Sequence, residues 1–137
     1  MPLVVFRLTA NRCNTLEQVY KDQPNNALFP AVLSNAYALM AEKDLALKLA
    51  ERAIVLLPRA KDSVSGPSFE ENLAVIQTMV GENNRAITAL TRLLKTPYCS
   101  DIYGPTAITP ALLRLDPIWD PLRADSEFQK LCEEKQP

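Results

Sequence analysis

The sequence predicts an all-α fold: a short α-solenoid of helical hairpins, closed at its C-terminal end by a capping segment of short helices. Three observations lead there. Apolar residues recur at three- and four-residue steps through residues 27 to 58, the spacing that places side chains on one face of a helix. A second stretch of the same pattern follows at an offset of forty residues, and repeated units bury their apolar faces against one another. With only three glycines and 47% hydrophobic residues in 137, the composition is that of a folded, helix-rich chain rather than a disordered one.

Length suits one domain, able to bury roughly two thirds of its unfolded surface. A net charge of −1 gives no concentrated basic surface, so nucleic acid is not an expected partner. Cys13, Cys99 and Cys132 are odd in number and unrelated in spacing, which argues against a disulfide framework and a zinc site and fits a reducing cytoplasm. The opening MPLVVFRLTANRC has a short apolar run with no basic segment before it, a poor signal peptide. No apolar stretch approaches the roughly 20 residues of a membrane span. The expectation is a soluble, cytoplasmic protein without a cofactor.

The N-terminal part, residues 1–24, reads as half a repeat. In TANRCNTLEQVYKDQPNN, Leu16, Val19 and Tyr20 share a helix face and Pro24 stands at the terminating position. The helix that would pair with it is missing or reduced to a stub around Leu3 to Leu8. Solenoid ends need covering; the stub, another copy or another subunit in a homo- or hetero-oligomer, or a longer chain would each do so.

Residues 27–60 form the first full unit. Val32, Leu33, Ala36, Leu39 and Met40 define one amphipathic helix, Glu42-Lys43-Asp44 a polar break, and Leu45, Leu49, Ile54 and Leu56 a second helix that ends at Pro58. The insertion RAKDSVSGPSFEEN supplies turn formers in Asp62, Gly66 and Pro67, and Ser68 with Glu71 three residues on predicts a capping box. It lacks the glycines and lysine of a phosphate-binding loop.

Residues 67–98 form the second unit. Offset by forty, Ala41 falls on Gly81, Ala46 on Ala86, Ala53 on Leu93 and Pro58 on Tyr98, while Leu33, Ser34 and Tyr37 fall on Leu73, Ala74 and Gln77. Residues 99–137 complete the chain. Thr109-Pro110, Asp116-Pro117 and Asp120-Pro121 each place a side-chain acceptor before a proline, the mark of a helix or turn start, and Asp125 or Ser126 opens EFQKLCEEK. Trp119, Leu122, Phe128 and Leu131 are then expected across the apolar end of the last repeat.

These residues resemble the tetratricopeptide repeat, a helix-turn-helix unit of about 34 residues. The first unit carries the pattern Leu33-Ser34, Tyr37, Ala41, Ala46, Ala53 and Pro58 in full register; small residues at Ser34, Ala46 and Ala53 let paired helices approach closely. The second is degenerate, with Gln77 for the aromatic, Leu93 for a small residue and Tyr98 for the proline. A more specific resemblance covers roughly residues 27 to 132. KDSVSGP, LAVIQTMVGENNRAITALTRLL and PALLRLDPIWDPLRADSEFQKL look like the C-terminal tail of bacterial tetratricopeptide proteins often fused to serine/threonine kinase, cyclase or winged-helix regulator domains. Ser126 stands where that tail usually has proline, and the loop TPYCSDIYGPTAI, residues 96 to 108, is longer than usual.

The resemblance implies a concave groove lined by the first helices: Leu28, Ala31, Asn35, Ala38 and Leu39 of one repeat, and Glu71, Asn72, Val75, Thr78 and Met79 of the next. Asn35 and Asn72 would bond an extended peptide backbone through their amides. No lysine or arginine stands at these positions, which argues against a C-terminal carboxylate as ligand. The expected partner is a protein or peptide, with no nucleic acid, membrane or small-molecule substrate.

Catalysis finds little support. The chain has no histidine, which removes Cys-His and Ser-His-Asp arrangements and the commonest metal ligand. Asp116 and Asp120 could form a carboxylate pair, but helix-start roles account for both. Cys99 has no basic neighbour in the sequence to lower its pKa.

Overall fold

The computed structural model describes residues 3–100, 102–103 and 106–134, with side chains from residue 11 onward. Asp101, Gly104 and Pro105 of the extended loop, the stub's side chains and the last three residues of the cap therefore lie outside the described residues. The helices are α1 (Leu3–Asp22), α2 (Leu28–Leu39), α3 (Lys43–Leu56), α4 (Gly66–Met79), α5 (Asn83–Leu93), α6 (Pro110–Leu115), a 3-10 helix (Pro117–Leu122) and α7 (Ser126–Glu133). Among the described residues there is no strand. From α1 to α5 each helix packs on the next in chain order, and α4 also touches α2 and the 3-10 helix. No helix among these residues is long and apolar enough to cross a membrane.

The two central helix pairs close their turns in the same way. After α2, the Glu42 N–H donates to the Tyr37 carbonyl (3.0 Å) and the Ala41 N–H to that of Ala38 (3.1 Å); after α4, the Glu82 N–H donates to Gln77 (2.8 Å) and the Gly81 N–H to Thr78 (3.4 Å). Such bonds satisfy carbonyls that a helix end leaves free, and they require a left-handed residue at the corner. Ala41 and Gly81 supply it, at φ 61° and 87°.

Small residues set the packing between pairs. Ser34, Ala46 and Ala53 are fully buried, as are Ala50, Ala74 and Ala86. Ala46 and Ala50 of α3 meet Ile76 of α4 in one cluster, and Ala27, Ala31 and Ala53 meet Phe69 in another. The largest cluster joins α4 and α5 to the C-terminal helices: Ala74, Val75, Leu90 and Leu93 pack with Leu113, Trp119, Leu122, Phe128 and Leu131. The expected cap is thus part of the core.

Four local expectations change. The stub and the lone helix are one uninterrupted helix of 20 residues, because neither proline nor glycine interrupts Leu3 to Asp22. The capping box does not form: Ser68 Oγ donates to the Ser65 carbonyl (2.6 Å), while Asp62 Oδ1 accepts from the Val64 and Ser65 N–H groups (2.9 and 2.8 Å) and so opens the turn into α4. Asp62 holds its proton less tightly than an ordinary aspartate because those two N–H groups stabilise its charged form. In the C-terminal segment, Thr109 Oγ1, Asp116 Oδ1 and Asp125 Oδ1 accept from backbone N–H groups of the helices they precede. Asp120 instead lies inside the 3-10 helix and pairs with Arg123 Nε at 2.6 Å. Finally, α5 ends at Leu93, short of the position that matches Pro58, and the chain turns through Leu94 to Thr96 before Pro97 prevents continuation.

Candidate functional site

The face shared by α2 and α4 holds the densest side-chain hydrogen bonding that links separate helices. Asn35 Nδ2 donates to Asn72 Oδ1 (2.8 Å) and to the Ala31 carbonyl (3.0 Å). Asn72 Nδ2 donates to Ser34 Oγ at 3.0 Å. Asn72 is fully buried, and these bonds offset the cost of removing its amide from water.

The chain's own loop reaches this network. The Tyr103 hydroxyl lies 2.6 Å from Asn72 Oδ1 and 2.9 Å from Asn35 Oδ1. One hydroxyl has one proton to give, and the shorter contact assigns it to Asn72. Burial of the hydroxyl end, helped by the nearby Glu71 carboxylate, pushes the Tyr103 hydroxyl well above the ordinary tyrosine range, while its bond with Asn35 pulls the other way. Beside it, Ile102 packs against the cluster of Ala27, Ala31, Ala53 and Phe69. Ile102 and Tyr103 therefore rest on the two helices, apolar side chain and hydroxyl both engaged.

Glu71 stands at the buried edge of the same face. Burial raises its pKa above the ordinary carboxylate value, while the Ser100 and Tyr98 hydroxyls beside it pull the other way. Its Oε2 has no hydrogen-bond partner among the described residues. The Tyr98 hydroxyl accepts from the Ile108 N–H (3.1 Å), and burial pushes its own pKa up strongly. A glutamate and two hydroxyls thus tie the loop down at both ends.

Of the ten residues expected to line an open groove, Leu28, Leu39 and Met79 are exposed and Asn35 and Ala38 half-buried. Ala31, Glu71, Asn72, Val75 and Thr78 are buried. The C-terminal return of the chain covers part of this face, and bonding within and between the helices accounts for the rest. Val75 belongs to the core cluster with Trp119 and Leu122, Thr78 Oγ1 donates to the Ala74 carbonyl at 2.8 Å, and Ala31 supports Ile102. Asn35 and Asn72 do come together, but as partners of each other. Sequence reasoning missed Tyr98, Ser100, Ile102 and Tyr103, which lie in a loop without periodicity; two tyrosines and an isoleucine in so short a polar segment were the only signal.

The remaining candidates are separate from this face. Asp116 is a helix cap and Asp120 an exposed ion pair. Cys99 is exposed, and Cys13 and Cys132 are buried; all three are free thiols. Among the described residues, no group of three or more metal-ligating side chains comes together. No protein-family model matches the chain, and neither a curated protein nor a solved structure matches it.

Proposed function

We propose that the chain is a non-catalytic protein-binding module of tetratricopeptide-like helix pairs, which holds an extended segment of a partner protein on the α2/α4 face. The observation that supports this reading is the seating of Ile102 and Tyr103. A polypeptide segment already occupies the face, its aliphatic side chain on Ala27, Ala31 and Phe69 and its hydroxyl on the Asn35–Asn72 pair. A partner segment with an aliphatic residue next to a hydroxyl-bearing one would meet the same groups. Leu39 and Met79, forty residues apart in the two units and exposed at the ends of α2 and α4, extend the apolar contact beyond the loop. A reducing compartment such as the cytoplasm suits three free thiols.

The test compares capture of lysate proteins by three immobilised forms: native, Tyr103→Ala, and Leu39→Arg with Met79→Arg. Tyr103→Ala vacates the amide pair and is expected to capture more of the partner set. The arginine pair, with helix content unchanged by circular dichroism, is expected to lose it. Equal capture by all three folded forms would overturn the reading.

A further inference from the structure

A cleft of about 490 Å³ opens between α3, α4 and α5, on the side of α4 opposite to the face just described. At 100° per residue, the mean direction of Glu70, Leu73 and Gln77 lies roughly opposite that of Glu71, Val75 and Met79 across α4. Ile54, Leu73 and Ala89 give the cleft apolar walls, Gln77 lies in its lining, and Arg85 and Arg92 rim it.

The forty-residue correspondence explains why the space exists. Tyr37, Lys48 and Leu49 of the first pair stand where the second pair has Gln77, Thr88 and Ala89, and those three shorter side chains all line the cleft. The Tyr37 hydroxyl spans to the Glu17 carboxylate on α1 and ties the first pair to the helix before it. Gln77 is too short to make the matching reach to α3. Its residue is 4% exposed, yet its Oε1 has no hydrogen-bond partner among the described residues. Buried amide oxygens in folded proteins are almost always bonded, so this one points to a donor brought to it. The terminal torsion of glutamine is broad and two-fold, so the side chain can present either its oxygen or its nitrogen, the complement of a peptide group.

The rim adds a charge preference. Glu70 is already held by Arg59 Nε at 2.7 Å. Arg92 reaches Glu70 only at 3.8 Å and Arg85 reaches Glu51 only at 3.6 Å, with both arginine side chains more than half exposed. Long, exposed pairs of this kind are weak, and a planar guanidinium is suited to a carboxylate brought against it.

We propose that this cleft is a second binding site, which takes an aliphatic side chain of a partner peptide, bonds the adjoining backbone amide through Gln77, and pairs a neighbouring aspartate or glutamate with Arg85 or Arg92. Its volume lies within the range of pockets that bury most of a small ligand.

The experiment selects binders from a displayed library of random peptides against the full chain, then measures the enriched peptides by fluorescence anisotropy. The expected selection pairs leucine, isoleucine or valine with an adjacent acid. Affinity should fall at least tenfold in Gln77→Tyr and in Ala89→Leu, which place in the cleft the residue types found at the corresponding positions 37 and 49. It should fall severalfold in Arg85→Ser with Arg92→Ser, and stay unchanged in Leu115→Ser on the exposed side of α6. Two filling variants guard against misfolding of either one. Enrichment of basic or charge-free peptides, or peptides that bind both folded filling variants as tightly as the native chain, would overturn the assignment. So would a library that yields no binder.

Discussion

Ala41 and Gly81 hold the same corner in the two central helix pairs, and both are left-handed, at φ 61° and 87°. Only one of them is the residue the conformation favours. A side chain in this region costs about 1–2 kcal/mol, partly offset by the greater freedom glycine has when unfolded. A Cβ built on Gly81 meets nothing within 4 Å, so the backbone alone decides. Ala41→Gly should stabilise by about 0.5–1 kcal/mol and Gly81→Ala should destabilise by about the same, with the double exchange near neutral. Urea midpoints at constant m value check all three.

Tyr103 and Asn72 should be energetically coupled. Tyr103→Phe removes one hydrogen bond, at about 1 kcal/mol. Asn72→Ala removes the bonds to Ser34 Oγ, Asn35 Nδ2 and the Tyr103 hydroxyl together, while Ser34 and Asn35 keep theirs to the Ala31 carbonyl, for about 2–3 kcal/mol. Because both changes delete the 2.6 Å contact, a double-mutant cycle should return a coupling of about 1 kcal/mol. A coupling near zero would mean that the loop does not rest on the amide pair in solution.

Glu71 predicts a pH dependence with a definite sign. Burial raises its folded-state pKa above the ordinary 4.5, so the folded protein binds this proton more tightly than the unfolded chain does. The resulting stabilisation is full below the unfolded value and is lost as pH rises through the raised folded value. Glu71→Gln does not titrate. The stability difference between variant and native protein should therefore shift in the variant's favour from about pH 4 to about pH 8, measured by denaturant unfolding at each pH. Asp62 acts with the opposite sign: two backbone N–H groups lower its pKa, and its contribution fades as pH falls through that lowered value.

The C-terminal segment should behave as core rather than appendage. Phe128 is 1% exposed within the main cluster, whereas Leu115 is 77% exposed. Phe128→Ala should cost about 3–5 kcal/mol and Leu115→Ala less than about 0.5 kcal/mol. Thermal and urea unfolding of the two variants give the comparison directly.

Much of this architecture was legible from residues alone. Three- and four-residue spacing located α2 and α3, and Pro58 marked the end of α3, because periodicity and proline act locally; the forty-residue correspondence then located α4 and α5. Thr109, Asp116 and Asp125 were readable as caps for the same reason. The groove was not. Asn35 and Asn72 were expected to face an outside peptide; instead they bond each other and Ser34, and Tyr103, from a loop that runs beside Glu71, meets them there. The choice of Asp62 over Ser68 as the group that opens α4 likewise depended on a turn, not on spacing. Contacts of long range between aperiodic and periodic segments leave no mark in either one read separately.

The contacts of α4 also bear on how the protein comes apart. It touches α2, α3, α5 and the 3-10 helix, so the chain's last quarter folds back onto its middle. A row of units that met only their neighbours could be shortened from one end with a proportionate loss, each unit melting nearly on its own. Here, cutting the chain before Pro110 would uncover Val75, Leu90 and Leu93 at once. Middle and end share one fate, and the molecule should unfold in a single step that no shortened form reproduces.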